Sequence, residues 1–373
     1  MIIVLTQCFP SRVGGIESLI SNLSIHLSKR EKVIVFADQH NFFYDAIYDQ
    51  SIKESVLVRR IGGIKYFRRR KKIKELKPFL FSNQVKCIIG ESWKSFELCI
   101  DLVNSNNIPS ICLAHGNEII KKNEKHFLRI KKTLNKVTSI VCNSDYTKNL
   151  ISNFCLSKPI IKKIYPGACD YSNIKKISIP NIKGDPILLT LARLEKRKGH
   201  KEIIFSIKKL ITEFPNIKYI VAGAGSELKN LKKLVSELKL EKNVVFVGNV
   251  NDAQKKYLFQ KVNLMVMPTL DETAKRSIEG FGIAYLEASF YSIPSIASNI
   301  GGTSEAVINN KTGIIIEDIN GLYKAIRDLL TNKTKRNLLG KAAQKRAISE
   351  FNWDNISKNY LKLIDNLINS KHN

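Results

Sequence analysis

DETAKRSIEGFGIAYLEASFYSIPSIASNIGGTSE, residues 271–305, is the stretch from which the rest of the chain can be read. Gly280 and Gly282 flank Phe281, and the apolar run over residues 283–291, starting at Ile283, predicts a helix. A glycine turn that opens a helix leaves backbone N–H groups unpaired and aimed forward, and the helix dipole favours an anion in front of them. Glu279 lies in that turn. Glu287 lies about one and a half turns into the helix, at a rise of ~1.5 Å per residue. One acid can therefore flank an anion site while the other reaches further along the same ligand. A solvated helix also carries glutamates at its ends. Against that plainer reading, Glu287 sits among Ala284, Leu286, Ala288 and Phe290. A carboxylate placed there needs a partner, because burying it bare is costly.

Working outward, short apolar runs alternate with helical patterns. In the first half the runs are residues 2–5, 33–36, 87–89, 110–113 and 139–142, and residues 17–29 carry helical spacing through Leu19, Leu23 and Leu27. The alternation restarts at 187–191 and continues at 219–221, 244–247, 264–267 and 313–316. This predicts an α/β chain with two doubly wound parallel sheets. Such sheets bind ligands outside the carboxyl ends of their strands.

That rule picks out particular loops. Gln7 to Gly15 follows the first run, and Gly14 and Gly15 would let a phosphate or sugar approach the backbone. Glu91-Ser-Trp93 is either the lining of an acceptor pocket or an ordinary loop. His115 stands beside Gly116 at a strand end and can reach into a cleft; His26, His40, His126 and His200 have no such placement. Arg193 and Lys198, in ARLEKRKGH from residue 192, offer a guanidinium fork and an ammonium to a diphosphate, where the alternative is a basic surface loop. Gly223 and Gly225 form a strand–glycine–helix turn that lacks the third glycine of a dinucleotide fingerprint, which argues against a dehydrogenase. Val247 and Gly248 end another strand.

These pieces together resemble the nucleotide-sugar-dependent, retaining glycosyltransferases of family four, glycosyl transferases group 1. Glu279, seven intervening residues and Glu287 match the family's paired glutamates, and Gly301-Gly302-Thr303-Ser304-Glu305 its following turn. Ala192 replaces the glycine of the family's GRLxxxKG pattern, and Tyr165-Pro-Gly-Ala-Cys-Asp170 resembles its NGVD turn. The resemblance implies a GT-B fold: two Rossmann-like domains facing a cleft, residues 1–170 on the acceptor side and 171–350 on the nucleotide-sugar side. A helix over 351–373 would cross back to the first domain. It also implies roles. Glu279 would contact the donor sugar and Glu287 the ribose. The Phe281–Gly282 backbone, with Ile283, would meet the diphosphate region, Arg193 and Lys198 the diphosphate itself, and Gly223, Gly225, Val247 and Gly248 the nucleotide. Gly14 and Gly15 would lie at the donor phosphate side, and His115 near both sugar and acceptor. The co-substrate would be a UDP- or GDP-linked sugar, with no other cofactor and no metal, the basic pair taking a metal's place.

Composition bears on partners. The 373 residues suffice for two domains, and the formal charge is +28. Two stretches concentrate that charge: Lys65 to Lys77, and Lys121 to Lys136. Each reads as a helix with a cationic face and an apolar stripe, suited to an anionic membrane surface. No nucleic-acid reader motif is present. The seven cysteines form no C-x-x-C pair and read as buried free thiols of a reducing cytosol. The first residues read as a strand rather than a leader, and no apolar run approaches ~18 residues. The expected function is sugar transfer to a lipid-linked or membrane-bound glycan acceptor, as in bacterial surface polysaccharide or lipopolysaccharide assembly, at the cytoplasmic face of the inner membrane. A transferase acting on soluble acceptors and a non-catalytic nucleic-acid-binding protein are the rival readings.

Overall fold

A computed structural model describes residues 1–275 and 277–370. Arg276, which the sequence puts beside the approach to Glu279, lies outside the described residues, as do 371–373. The chain forms two compact units, Met1–Gly167 with Trp353–Asn373, and Ala168–Asn352.

The first unit is built on seven parallel strands: β1 (Ile2–Thr6), β2 (Val33–Asp38), β3 (Leu57–Ile61), β4 (Cys87–Gly90), β5 (Ser110–Ala114), β6 (Ser139–Cys142) and β7 (Ile160–Lys163), in the order β3-β2-β1-β4-β5-β6-β7. β1 pairs with β2 (Val4 opposite Val35) and with β4 (Val4 opposite Ile89). Helices cover both faces of such a sheet, so its inner strands are apolar without alternation. Ile3, Leu5, Ile34, Phe36 and Ile88 accordingly lie in one core with Trp93, Leu134 and Phe154. The edge strands β3 and β7, LVRRI and IIKK, carry charge and are partly exposed. They are absent from the apolar runs of the sequence for that reason.

Three helices matter below: α1 (Gly15–Ser28), α2 (Phe42–Ile52) and α3 (Lys65–Leu80). The final helix, Trp353–Asn369, belongs to this unit. It packs on α1, with Trp353 stacked on His26 at 5.6 Å and Asp354 paired with Lys29 at 2.7 Å.

The second unit has six parallel strands: β8 (Ile187–Leu191), β9 (Lys218–Ala222), β10 (Val244–Gly248), β11 (Leu264–Met267), β12 (Ser295–Ser298) and β13 (Gly313–Ile316), in the order β10-β9-β8-β11-β12-β13. The direction of winding reverses between β1 and β4 in one unit and between β8 and β11 in the other. Loops leaving neighbouring strands diverge at such a point and open a crevice. The segment carrying Arg193 and Lys198 leaves β8, and the segment carrying Glu279 leaves β11.

Among the described residues no helix is long and apolar enough to cross a membrane. Among the described residues no disulfide joins the cysteines; Cys87, Cys99, Cys112 and Cys142 are buried, but Cys155 is exposed. The expectation of uniform burial fails there because Cys155 follows the helix Asp145–Ser152 in a loop, outside any strand.

Candidate functional site

In the second unit the loops after β8 and β9 are locked together. A Cβ at Gly223 would stand 2.0 Å from the Ala192 carbonyl, and one at Gly225 within 2.4 Å of the Leu194 carbonyl. Gly223 N–H also donates to the Gly248 carbonyl at 2.7 Å. The room these glycines leave is therefore taken by the 192–194 segment. Their missing side chains let the two loops touch. Gly248, at φ +69°, has no atom within 4 Å of its would-be Cβ, and Val247 beside it is half-buried.

Glu279 is fixed from behind by the glycine pair. Gly302 N–H donates to its carbonyl at 3.0 Å, and a Cβ on Gly301, at φ +64°, would fall 2.1 Å from that same oxygen. Its carboxylate is 12% exposed and shared by two cations: Arg197 Nη1 reaches Oε2 at 2.7 Å, and the Lys198 ammonium donates to the same atom. Burial alone would raise the Glu279 pKa, but the charges and hydrogen bonds of Lys198 and Arg197 outweigh it and hold it at about 2. Burial pulls Lys198 down, and the Glu279 carboxylate opposes that. Arg193 is placed differently. Its side chain is 63% exposed, and its Nη1 lies 2.8 Å from Glu195 Oε1. Lys198 thus converges on Glu279 and Arg193 does not. The cation that does, Arg197, was not among the sequence candidates.

Gly282, at φ +98°, opens the helix Ile283–Ser289, which stops two residues before the expected end at 291. The Phe281 side chain is core, 2% exposed, with its ring 5.9 Å from that of Phe351, so only its backbone is available to a ligand. Ile283 is half-buried at the start of the helix. Glu287 is buried and has the partners its surroundings demand: the Tyr171 hydroxyl donates to Oε1, and Lys255 Nζ lies 3.2 Å from it. Burial would lower the Lys255 pKa, but Glu287 and Asp252 more than offset it and raise it. His200 is a structural residue. Its Nδ1 lies 3.0 Å from the Tyr219 hydroxyl, and burial draws its pKa down to about 4.

In the first unit Gly14 caps α1, and a Cβ there would meet the Glu17 carboxylate; at Gly15 the space is open. His115, half-buried after β5, directs Nε2 to the Glu91 carbonyl at 2.9 Å, while its backbone N–H donates to Glu118 Oε1 at 2.7 Å. With Nε2 as the donor to that carbonyl, Nδ1 is left as the acceptor nitrogen. The Glu91 carboxylate accepts from Gln7 N–H at 2.8 Å, and burial pushes its pKa up. Glu91 thus ties the loop after β4 to the loop after β1.

The basic stretches are less open than their composition suggests. α3 spends part of its charge internally: Lys72 is buried on Asp38 at 2.6 Å, Arg68 lies 3.5 Å from Asp38, and Arg69 pairs with Glu97 at 2.8 Å. Lys65, Arg70, Lys71, Lys74 and Lys77 are exposed. The second helix spans Glu124–Leu134, with Lys121 and Lys122 before it. Its expected apolar stripe faces inward except at Leu128, which is exposed: Ile130 and Leu134 are buried and Phe127 stacks on Phe154 at 4.7 Å. A surface that the sequence did not announce lies nearby. On α2, Phe42, Phe43, Tyr44 and Ile47 are 54–80% exposed, and Ile64 and Phe67 at the start of α3 are 73% and 57% exposed. Both helices begin at the carboxyl ends of β2 and β3, where Gln39 N–H meets the Ile61 carbonyl at 3.0 Å.

Among the described residues no group of three or more His, Cys, Asp or Glu side chains is placed to hold a metal ion.

Residues 172–346 match the family described as glycosyl transferases group 1. A GDP-mannose-dependent alpha-(1-6)-phosphatidylinositol monomannoside mannosyltransferase of Mycolicibacterium smegmatis is 29% identical over 170 residues, 45% of this chain and 44% of that protein. The match thus spans under half of that relative's length. A GDP-mannose-dependent monoacylated alpha-(1-6)-phosphatidylinositol monomannoside mannosyltransferase of Corynebacterium glutamicum is 22% identical across 94% of both chains. Among solved structures, HepE of Anabaena in complex with UDP and glucose superposes with a TM-score of 0.79 at 17% identity, covering 98% of this chain and 100% of that one. Sucrose-phosphate synthase from Thermosynechococcus elongatus gives 0.80 at 19% identity, with 99% of each chain covered. The fold is that of the GT-B enzymes.

Proposed function

We propose that this chain, whose residues 172–346 match the group 1 glycosyl transferases, moves a sugar from a UDP- or GDP-linked donor to a lipid-linked or membrane-bound glycan acceptor. The observation that carries this reading is the buried Glu279 carboxylate, held by Lys198 and Arg197 where the winding of the second sheet reverses. Cations gathered around one fixed acid at a strand-end reversal point suit a sugar joined to a diphosphate.

The bond between the anomeric carbon and the diphosphate oxygen breaks. Arg193 and Lys198 neutralise the charge that collects on the departing diphosphate, an interaction worth more in the transition state than in the ground state. The acceptor hydroxyl oxygen attacks the anomeric carbon on the face the diphosphate leaves, its proton passes to a diphosphate oxygen, and configuration is retained. Glu279 accepts hydrogen bonds from the sugar hydroxyls and Glu287 from the ribose. Phe281, Gly282 and Ile283 offer backbone groups to the diphosphate, and Val247 and Gly248 to the base. On the first unit His115 serves the sugar and the acceptor, and Gly14 and Gly15 the donor phosphate side. No metal takes part.

The exposed aromatic residues of α2 and the cations Lys65, Arg70 and Lys71 support a peripheral seat on an anionic bilayer, with apolar side chains at the interface and cations around them. Relatives named for phosphatidylinositol mannosides support a lipid acceptor. Radiolabelled UDP-glucose and GDP-mannose, incubated with the protein and bacterial membranes, test the reading. Label should enter the organic-extractable fraction and fail to do so with Lys198→Ala. Label confined to water-soluble glycosides would contradict the acceptor, and no transfer or donor binding would contradict the whole.

A further inference from the structure

Arg193, Glu195, Arg197, Glu279 and Lys198 form a chain of contacts of alternating sign. Arg193 meets Glu195 Oε1 at 2.8 Å, and Arg197 Nε meets Glu195 Oε2 at 3.1 Å. Arg197 Nη1 then meets Glu279 Oε2 at 2.7 Å, and Lys198 meets that same oxygen. Each acid is shared between Arg197 and one other cation. In the reading above, the donor diphosphate claims those other two cations.

We propose that Arg197 is a positioning residue, the standing counter-ion that keeps Glu195 and Glu279 in place as Arg193 and Lys198 turn to the donor. The inference rests on the donor-site reading. Its basis is geometric. Arg197 is 5% exposed, and its planar guanidinium is held at two edges by two acids, so it cannot swing without breaking both contacts. Its carbonyl accepts from Leu270 N–H at 2.7 Å, which fixes the backbone beneath it. Lys198 is a point charge on a flexible stem, with Met267 Sδ at 3.6 Å as a soft neighbour, and Arg193 is 63% exposed. Arg193 can turn at small cost, whereas Lys198, buried on Glu279, turns only as the diphosphate takes over from that carboxylate as its partner. If Lys198 turned away with Arg197 absent, Glu279 would become a buried anion with neither cation. The titratable groups facing Glu279 are Lys198 and Arg197 from the 196–198 turn and Tyr285 from the helix that Gly282 opens. Tyr285 is occupied elsewhere, donating to the Met267 carbonyl at 2.5 Å.

The test is the pH dependence of kcat/KM, with UDP-glucose or GDP-mannose as donor and UDP or GDP binding measured in parallel. Losing one of two opposite charges raises a carboxyl pKa by about 1–3 pH units, so Arg197→Met should bring a Glu279-dependent acid limb into the measured range. Nucleotide affinity should fall about tenfold at neutral pH, because Lys198 is then kept by Glu279. Arg197→Lys should restore the acid limb. A carbon-13 titration of the Glu279 carboxyl, assigned with Glu279→Gln, should move in step. A purely structural role predicts a lower Tm with the acid limb and the carboxyl titration unchanged, and that result overturns the proposal. Should Arg197→Met not fold, Glu195→Gln replaces it. That change frees one edge of Arg197 and should move the limb in the same direction, and an unmoved limb again overturns the proposal. If Arg193→Ala and Lys198→Ala both leave nucleotide affinity unchanged, the donor site itself is misassigned.

Discussion

Replacing Glu279 by Gln keeps the side-chain volume and removes one buried charge between two cations. Glu279 is held at about 2, against an ordinary 4.5. At 1.36 kcal/mol per pH unit, that difference amounts to about 3 kcal/mol of stability. The folded-state pKa is the lower one, so the contribution is complete above about 4.5 and is lost as the pH falls through about 2. Stranding Arg197 and Lys198 without an anion points to a similar loss, about 3–5 kcal/mol for a broken buried pair. Glu279 lies in the unit Ala168–Asn352. For a unit of that size each kcal/mol lowers Tm by about 2–4 °C, so the substitution should cost about 6–12 °C at neutral pH. Thermal unfolding of wild type and Glu279→Gln across a pH series is the assay. The gap should hold steady above about pH 4.5 and close below it. A gap under about 2 °C at neutral pH, or one that does not narrow in acid, would refute the view that Glu279 is an ionised, doubly held carboxylate.

Four further outcomes follow from other parts of the chain. His200, drawn down to about 4 by burial, contributes stability that is complete above 6.5 and is lost as pH falls toward 4. Urea unfolding of wild type should therefore lose about 2 kcal/mol between about pH 7 and pH 5, and His200→Gln should flatten that slope. Gly301→Ala forces a left-handed residue and a collision with the Glu279 carbonyl, so it should destabilise by at least about 1–2 kcal/mol and weaken donor binding. Gly15→Ala, with open space, should leave stability unchanged, which calorimetry can compare directly. Phe42→Ser with Phe43→Ser should alter stability by less than about 0.5 kcal/mol but lower flotation with anionic vesicles about tenfold. Flotation equal to wild type would remove α2 from the membrane reading.

Strands were legible in the sequence where the run is apolar throughout, as at the inner strands and also at the edges β10 and β13. β3 and β7 escaped because LVRRI and IIKK place charged residues inside the strand, which breaks the run. The burial of Glu287 could be read from its apolar neighbours, but its partners could not: Tyr171 and Lys255 stand 116 and 32 positions away. Arg197 was hidden for a related reason. In a run of basic residues nothing local distinguishes the buried cation from the exposed one, and here an acid 82 positions away makes the choice. The aromatic residues at 42–44 went unnoticed in the sequence, because nothing local tells an exposed apolar run from a buried one, and only the packing of α2 leaves it outside.

The central claim is that Arg193, Lys198 and Glu287 serve one nucleotide-diphosphate sugar. The most direct test is thermal stabilisation of the wild-type chain by a panel of UDP-, GDP- and ADP-sugars, repeated with Arg193→Ala, Lys198→Ala and Glu287→Ala. The account predicts a donor-dependent rise in Tm that each substitution diminishes. An unchanged rise in Arg193→Ala and Glu287→Ala, or no rise with any donor, would contradict it.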